Sequence, residues 1–180
     1  MHKLSFNKFY FIDKFEKNNI KIIDKNTSII FRNYDSKINY QEIVKIKKFC
    51  EQKRIKFYIA NHLKLAIKMN CDGLYLPSFN KHTYTKGLIL KNRFEILGSA
   101  HNIKEIRQKE RQGVKIIFVS SIFKKNKNYL GLYKFNTLKS FTKKKVVALG
   151  GINSKNIKLL KLINLWGFSG ISYFKKKPPQ

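Results

Sequence analysis

The chain has 180 residues, of which 43% are hydrophobic; this suits one domain around a single core and excludes a disordered polymer. Its 39 Lys and Arg against 10 Asp and Glu give a formal charge of +29, a balance that first suggests a polyanionic partner. There is no run of eighteen apolar residues, and the stretch from Met1 to Lys8 lacks an apolar leader with a small-residue cleavage site, so the expectation is a cytoplasmic protein with no membrane association.

Apolar runs that read as strands recur along the chain: Phe9–Ile12, Ser28–Phe31, Phe57–Ala60, Gly73–Leu76, Glu95–Gly98, Lys115–Val119, Val146–Leu149 and Gly170–Tyr173. Segments with helical spacing lie between them. The clearest runs from Tyr40 to Lys53, with Ile43, Val44, Ile46 and Phe49 on one face, and another from Asn153 to Leu165, with Ile157, Leu160, Leu162 and Ile163. Helices are also expected over His62–Met69, Asn102–Gln112 and Phe135–Phe141, with Ser36 or Asn39, Asn102, and Asn153 or Ser154 as caps.

Eight strands alternating with helices argue for an α/β fold, a compact (β/α)8 TIM barrel spanning residues 1–174 with a basic, Pro-containing tail over 175–180. Because such barrels usually exceed roughly 200 residues, some helices must be short or missing, with Pro77–Lys91 as one candidate stretch. An open doubly wound sheet is the alternative. In a barrel the ligand site lies at the carboxyl ends of the strands, which selects Arg32, Asn61, Pro77-Ser78, Ser99-Ala100-His101, Ser120-Ser121, Gly150-Gly151 and Ser172-Tyr173.

Of these, Val146-Val147-Ala148-Leu149-Gly150-Gly151-Ile152-Asn153 is the most informative: a buried strand runs into two glycines that let backbone N–H groups approach an anion, with a helix to follow. Arg32 can hold a phosphate bidentately or pair with Asp35. Asn61 can hold a ring edge or a phosphate, or cap a helix. The His101 imidazole suits acid/base work, Ser99 can bond an anion, and Lys124, Lys125 and Lys127 can clamp phosphate from a loop. Cys50 and Cys71 belong to no Cys-x-x-Cys pair and read as buried free thiols, with no metal site.

Five Arg, at positions 32, 54, 93, 107 and 111, leave 34 Lys among the 39 cations, in a chain equally crowded with Ile, Asn, Phe and Tyr. That pattern reads as a compositional bias toward AT-rich codons, and nucleic-acid readers favour Arg, so the charge alone does not argue for a nucleic-acid partner. The runs Lys143–Lys145 and Lys175–Lys177 read as solvated clusters. Trp166, Phe168 and Phe174 are candidates for the surface of a homo-oligomer.

The order of motifs resembles the thiamine-phosphate synthase and thiazole tautomerase (TenI) superfamily. The resemblance runs from Phe9 to Ser172 through Ile29-Ile30-Phe31-Arg32, Tyr58-Ile59-Ala60-Asn61-His62, Cys71-Asp72-Gly73-Leu74-Tyr75-Leu76, Gly98-Ser99-Ala100-His101-Asn102, Val119-Ser120-Ser121-Ile122-Phe123 and Val147-Ala148-Leu149-Gly150-Gly151-Ile152. It implies thiamine biosynthesis: a transferase that couples hydroxymethylpyrimidine diphosphate with thiazole phosphate. By resemblance, Arg32 matches the diphosphate Arg, Asn61 a substrate-contacting Asn, Ser99 a conserved-pattern Ser and Lys127 the loop Lys, while Gly150, Gly151 and Ser172 match the thiazole-phosphate site. The synthase pattern also implies Mg2+, but its two aspartates are replaced here by His62 and Asn80, and the Gln and Lys that flank its Arg by Ile30 and Tyr34. The tautomerase branch, resembled in Leu76-Pro77-Ser78 and in a His matching His101, implies metal-free proton transfer; a third alternative is a barrel that binds phosphorylated ligands without catalysis.

Overall fold

The computed structural model describes residues 6–16, 23–34, 39–83 and 93–174. Eight strands are found: β1 (Asn7–Ile12), β2 (Thr27–Phe31), β3 (Phe57–Ala60), β4 (Gly73–Leu76), β5 (Glu95–Ala100), β6 (Ile116–Ser120), β7 (Lys145–Leu149) and β8 (Gly167–Ser169). Each pairs in parallel with the next, and β8 returns to β1 through the register Asn7↔Gly167 and Phe9↔Ser169, which closes the barrel. This is the expected (β/α)8 architecture, with five helices and one 310 turn among the described residues: α1 (Tyr40–Lys53), α2 (Leu63–Lys68), α3 (Ile103–Arg111), α4 (Gly131–Ser140), a 310 helix (Ile157–Leu162) and α5 (Ile171–Phe174).

Strand pleating divides the apolar residues into two cores. Phe9, Phe11, Ile30, Tyr58, Ala60, Tyr75, Leu97, Ile116, Phe118 and Val147 pack together as one cluster, the barrel interior. Their strand neighbours Tyr10, Ile29, Ile59, Leu74, Ile96, Ile117, Val119 and Val146 pack outward in the other cluster, which includes Ile43, Ile46, Ile106 and Phe135 of the helices. The interior is filled by edge-to-face aromatic rings: Phe9 on Phe118 at 4.8 Å, Phe11 on Tyr75 at 5.1 Å and Tyr75 on Phe118 at 5.4 Å between centroids. The barrel is therefore solid, and its two mouths are separate surfaces.

Local chemistry explains where the helices begin. Asn39 caps α1, its side chain accepting from the Glu42 amide, and Arg54 ends that helix in a left-handed conformation. Asn102 caps α3 in the same way through Glu105. Ser36, the alternative to Asn39, lies outside the described residues.

Three expectations need correction. Gly170–Tyr173 is not the eighth strand: β8 is Gly167–Ser169, and Ile171–Phe174 turns into α5, because the register with β1 is fixed by the main-chain contact of Gly167 with Asn7, where an added Cβ would sit 2.3 Å from the Asn7 carbonyl. The helix expected from Asn153 to Leu165 contracts to a 310 turn, since Asn153 instead accepts from the amides of Lys155 and Asn156 and the Asn156 side chain reaches back to Asn153 N and Gly151 O. Phe168 and Phe174 are buried, with 1% and 5% of their surface exposed, so neither forms the outward surface expected of them. Trp166 is half-buried against Phe9. Cys50 and Cys71 are free and buried as expected, and burial, the larger effect in each, pushes both thiols up to about 12. The tail 175–180, with its Lys run, lies outside the described residues.

No helix among the described residues is long and apolar enough to cross a membrane.

Candidate active site at the carboxyl mouth of the barrel

Pleating carries the inward direction of Ile30, Leu97 and Phe118 two residues further, to Arg32, Ser99 and Ser120 at the carboxyl ends of β2, β5 and β6. The Arg32 guanidinium stands 4.7 Å over the Phe11 ring, and its backbone amide donates to Ile12 O at 2.8 Å. Next to Phe11, Tyr75 is wholly buried; burial raises its hydroxyl pKa most, while its hydrogen bond with Ser99 and the charge of Arg32 oppose that rise. Arg32, Phe11, Tyr75 and Ser99 thus form one connected floor: an aromatic surface, a fixed cation and a hydroxyl. Asp35, the alternative partner for Arg32, lies outside the described residues.

Beside this floor, His101 is held by its neighbours. Its amide donates to the Glu105 carboxylate at 2.7 Å, and its Nδ1 lies 3.0 Å from both the Oγ and the carbonyl oxygen of Ser120. The carbonyl can only accept, so the tautomer with hydrogen on Nδ1 satisfies it and leaves Nε2 as the basic nitrogen. Ser121, the next residue, donates from Oγ to Lys124 O at 2.9 Å.

Gly150 and Gly151 close the same side. Both have positive φ, 104° and 75°, and an added Cβ would lie 2.4 Å from Ser121 Oγ at Gly150 and 2.5 Å from Lys124 N at Gly151. The carbonyl of Gly150 accepts from Phe123 N at 2.9 Å and Lys124 N at 3.2 Å, and that of Gly151 from Asn156 Nδ2 at 2.8 Å. Both carbonyls are thus engaged inside the loop. Gly170 packs against the same turn, where its Cβ would meet Ile152 O at 2.6 Å.

The expected residues therefore fall into two joined groups, Arg32 with Ser99 and His101 with Gly150 and Gly151 by way of Ser120-Ser121. Lys127 is exposed on the loop after β6 and, among the described residues, has no hydrogen bond or ion pair to either group, and Ser172 is exposed on α5, beyond the expected strand end. Asn61 sits at the end of β3 with φ 62°, its Oδ1 accepting from Asn80 Nδ2 at 2.6 Å.

Sequence reasoning missed what holds Asn80. Lys109 of α3 is completely buried, and its ammonium donates to Pro77 O at 2.7 Å, Asn80 O at 2.8 Å and Gln112 Oε1 at 2.9 Å, while Gln112 donates to Asn80 O and His82 O. Gly98 makes room for the lysine stem, since a Cβ there would lie 2.8 Å from Lys109 Cδ. The available signal was Lys109 three residues after Ile106, on the buried stripe of the helix.

These contacts bear on whether the described residues suit a metal. Asn61 Oδ1 is engaged by Asn80, Asn80 Oδ1 accepts from His82 N at 2.9 Å, and a lysine ammonium already bonds the Asn80 carbonyl. Among the described residues no group of three or more His, Cys, Asp or Glu gathers. A hard divalent cation needs several anionic oxygens, so the residues at His62 and Asn80 do not fit resident Mg2+.

A closed parallel barrel that gathers a cation, a histidine and a tight glycine turn at its carboxyl mouth defines the class: a (β/α)8 protein with its polar residues at the carboxyl ends of the strands. The family model described as thiamine monophosphate synthase matches residues 16–174, and the chain belongs to that family. The thiamine-phosphate synthase of Fusobacterium nucleatum is 29% identical over 145 residues, covering 78% of this chain and 70% of that protein. The thiamine-phosphate synthase of Persephonella marina is 31% identical over 130 residues, which is 70% of this chain and 62% of its own length. That of Prochlorococcus marinus subsp. pastoris is 31% identical over 170 residues, 88% of this chain but 48% of its own length, so the match spans 48% to 70% of the length of these relatives. Among solved structures, a thiamine phosphate pyrophosphorylase from Pyrococcus furiosus superposes with a TM-score of 0.75 at 21% identity, over 92% of this chain and 86% of that one, a likeness of fold.

Proposed function

We propose that the chain is a thiamine-phosphate synthase that couples a pyrimidine diphosphate to a thiazole phosphate at the carboxyl mouth. The observation that carries this reading is that the carboxyl strand ends bring Arg32, Tyr75 and Ser99 into one connected group and His101, Ser120 and the Gly150-Gly151 turn into another, with Ser99 and His101 two residues apart at the end of β5. In the coupling, the bond from the pyrimidine methylene carbon to the diphosphate oxygen breaks, its electron pair leaving with the diphosphate. The thiazole nitrogen then forms the new carbon–nitrogen bond with its lone pair.

In this assignment the Arg32 fork holds the diphosphate and compensates the charge that grows on it as it departs. Backbone N–H groups of the glycine turn hold the thiazole phosphate, which brings the ring nitrogen toward the methylene carbon. Phe11 and Tyr75 keep water from the electron-poor carbon, and Ser99 orients the pyrimidine. His101 would help fix the substrates through Nε2. Proton transfer by His101 within a thiazole carboxylate phosphate is the second reading, favoured by the engagement of Asn61 and Asn80 with each other in place of a carboxylate pair.

Mass spectrometry of the protein with pyrimidine diphosphate, thiazole phosphate and magnesium chloride, each omitted in turn beside an active synthase, tests the proposal. Thiamine phosphate from the complete mixture alone is the expected result. No product while the control turns over overthrows coupling and leaves the tautomerase reading to be tested through His101→Asn.

A further inference from the structure

We infer that the opposite, amino-terminal mouth of the barrel binds a small polyphosphate-class anion. That mouth holds a pocket of about 560 Å³, within the range of small-ligand sites. Seven of its 15 lining residues are basic, Lys25, Arg54, Lys56, Lys115 and the run Lys143–Lys145, about twice the share that 39 cations among 180 residues would give. They come from the loops ahead of β2, β3, β6 and β7 and, for Lys145, from the first position of β7, so the barrel's closure gathers what the sequence scatters.

The charge of this pocket is not balanced from within. Glu95 is its one carboxylate, and it is committed: Lys56 Nζ lies 2.8 Å and the Tyr58 hydroxyl 2.6 Å from its Oε2. Burial would raise the Glu95 pKa, but these two bonds and nearby lysines hold it below the ordinary value, so it stays ionised and occupied. Lys145 lies over the Trp166 ring at 5.0 Å. Of the seven cations, Lys56 alone takes part in an ion pair among the described residues. Like charges held around a concave surface repel, and a compact multivalent anion relieves that repulsion at several side chains at once. The pocket's volume favours such an anion over a nucleic acid, which would need an extended basic stripe. The aromatic interior separates this site from the carboxyl mouth, so the inference stands apart from the proposed coupling reaction.

Trp166 is the chain's one tryptophan and lines the pocket, which makes its fluorescence a local reporter. Inorganic tripolyphosphate and a nucleoside triphosphate are titrated separately at about 0.15 M salt. Saturable quenching by tripolyphosphate is expected, weakened at least about tenfold in the exposed double variant Lys115→Gln/Lys144→Gln and retained in Arg32→Ala, since each lost contact to a charged group weakens binding. Comparable binding of both probes assigns recognition to the phosphate chain, and tighter binding of the nucleotide adds base contacts at the same pocket. The inference is overturned if tripolyphosphate gives no saturable response, if the double variant binds as well as wild type, if Arg32→Ala abolishes the response, or if an oligonucleotide binds where tripolyphosphate does not.

Discussion

At the scale of the residue, three positions test the carboxyl mouth. Gly150 has φ 104°, and the Cβ of an alanine would lie 2.4 Å from Ser121 Oγ, so backbone strain and collision act together. Gly150→Ala is expected to lower stability by about 1–3 kcal/mol and to weaken thiazole phosphate binding, read by thermal unfolding and by calorimetry. Unchanged affinity would remove the glycine turn from the phosphate site. Arg32 presents a planar fork that a lysine does not reproduce. Arg32→Lys should therefore weaken diphosphate binding by about tenfold while leaving thiazole phosphate binding within a factor of about two, measured separately by calorimetry. His101 has its Nδ1 fixed by Ser120, so His101→Asn is expected to keep phosphate binding; loss of that binding would instead make the ring a structural strut of the Ser120-Ser121 turn.

At the scale of the element, α3 and the chain after β4 are one unit because Lys109 joins them. Its folded pKa is about 8, lowered by burial from 10.5, so between pH 8 and 10.5 the unfolded chain binds the extra proton and stability rises with pH. Against Lys109→Met, the wild type should gain up to about 3 kcal/mol across that window, followed by denaturant unfolding at several pH values. A flat difference would show that the three carbonyl bonds of the ammonium offset its burial. The same region marks what was legible in the sequence. The first seven strands follow from apolar runs, and α1 from a cap and a helical stripe, because these signals are local. β8 was misplaced by three residues because Ile171 and Tyr173 alternate like a strand, whereas its register is set by Asn7, far away in the chain. Asn61 was legible as a strand-end residue, but its bond to Asn80, and the hold of Lys109 on Asn80, join positions 19 and 29 residues apart that no local pattern links.

At the scale of the whole molecule, barrel closure creates two unlike ends from one basic chain. The carboxyl mouth combines one arginine, one histidine and a glycine turn over an aromatic floor, whereas the amino mouth gathers seven cations around one carboxylate. A charge of +29 does not by itself distinguish a polymer-binding surface from small anion sites; the gathering of seven of the 39 cations at one pocket is what motivates the anion site inferred there. The central claim, coupling at the carboxyl mouth, is tested most directly by the initial rate of thiamine phosphate formation in wild type and in Arg32→Ala at equal, high enzyme concentration. The account predicts product from the wild type and a fall of at least about tenfold in the variant, the loss of a charged hydrogen-bonding group at the diphosphate. Equal rates in the two proteins, or no product from either while a control synthase is active, would contradict it.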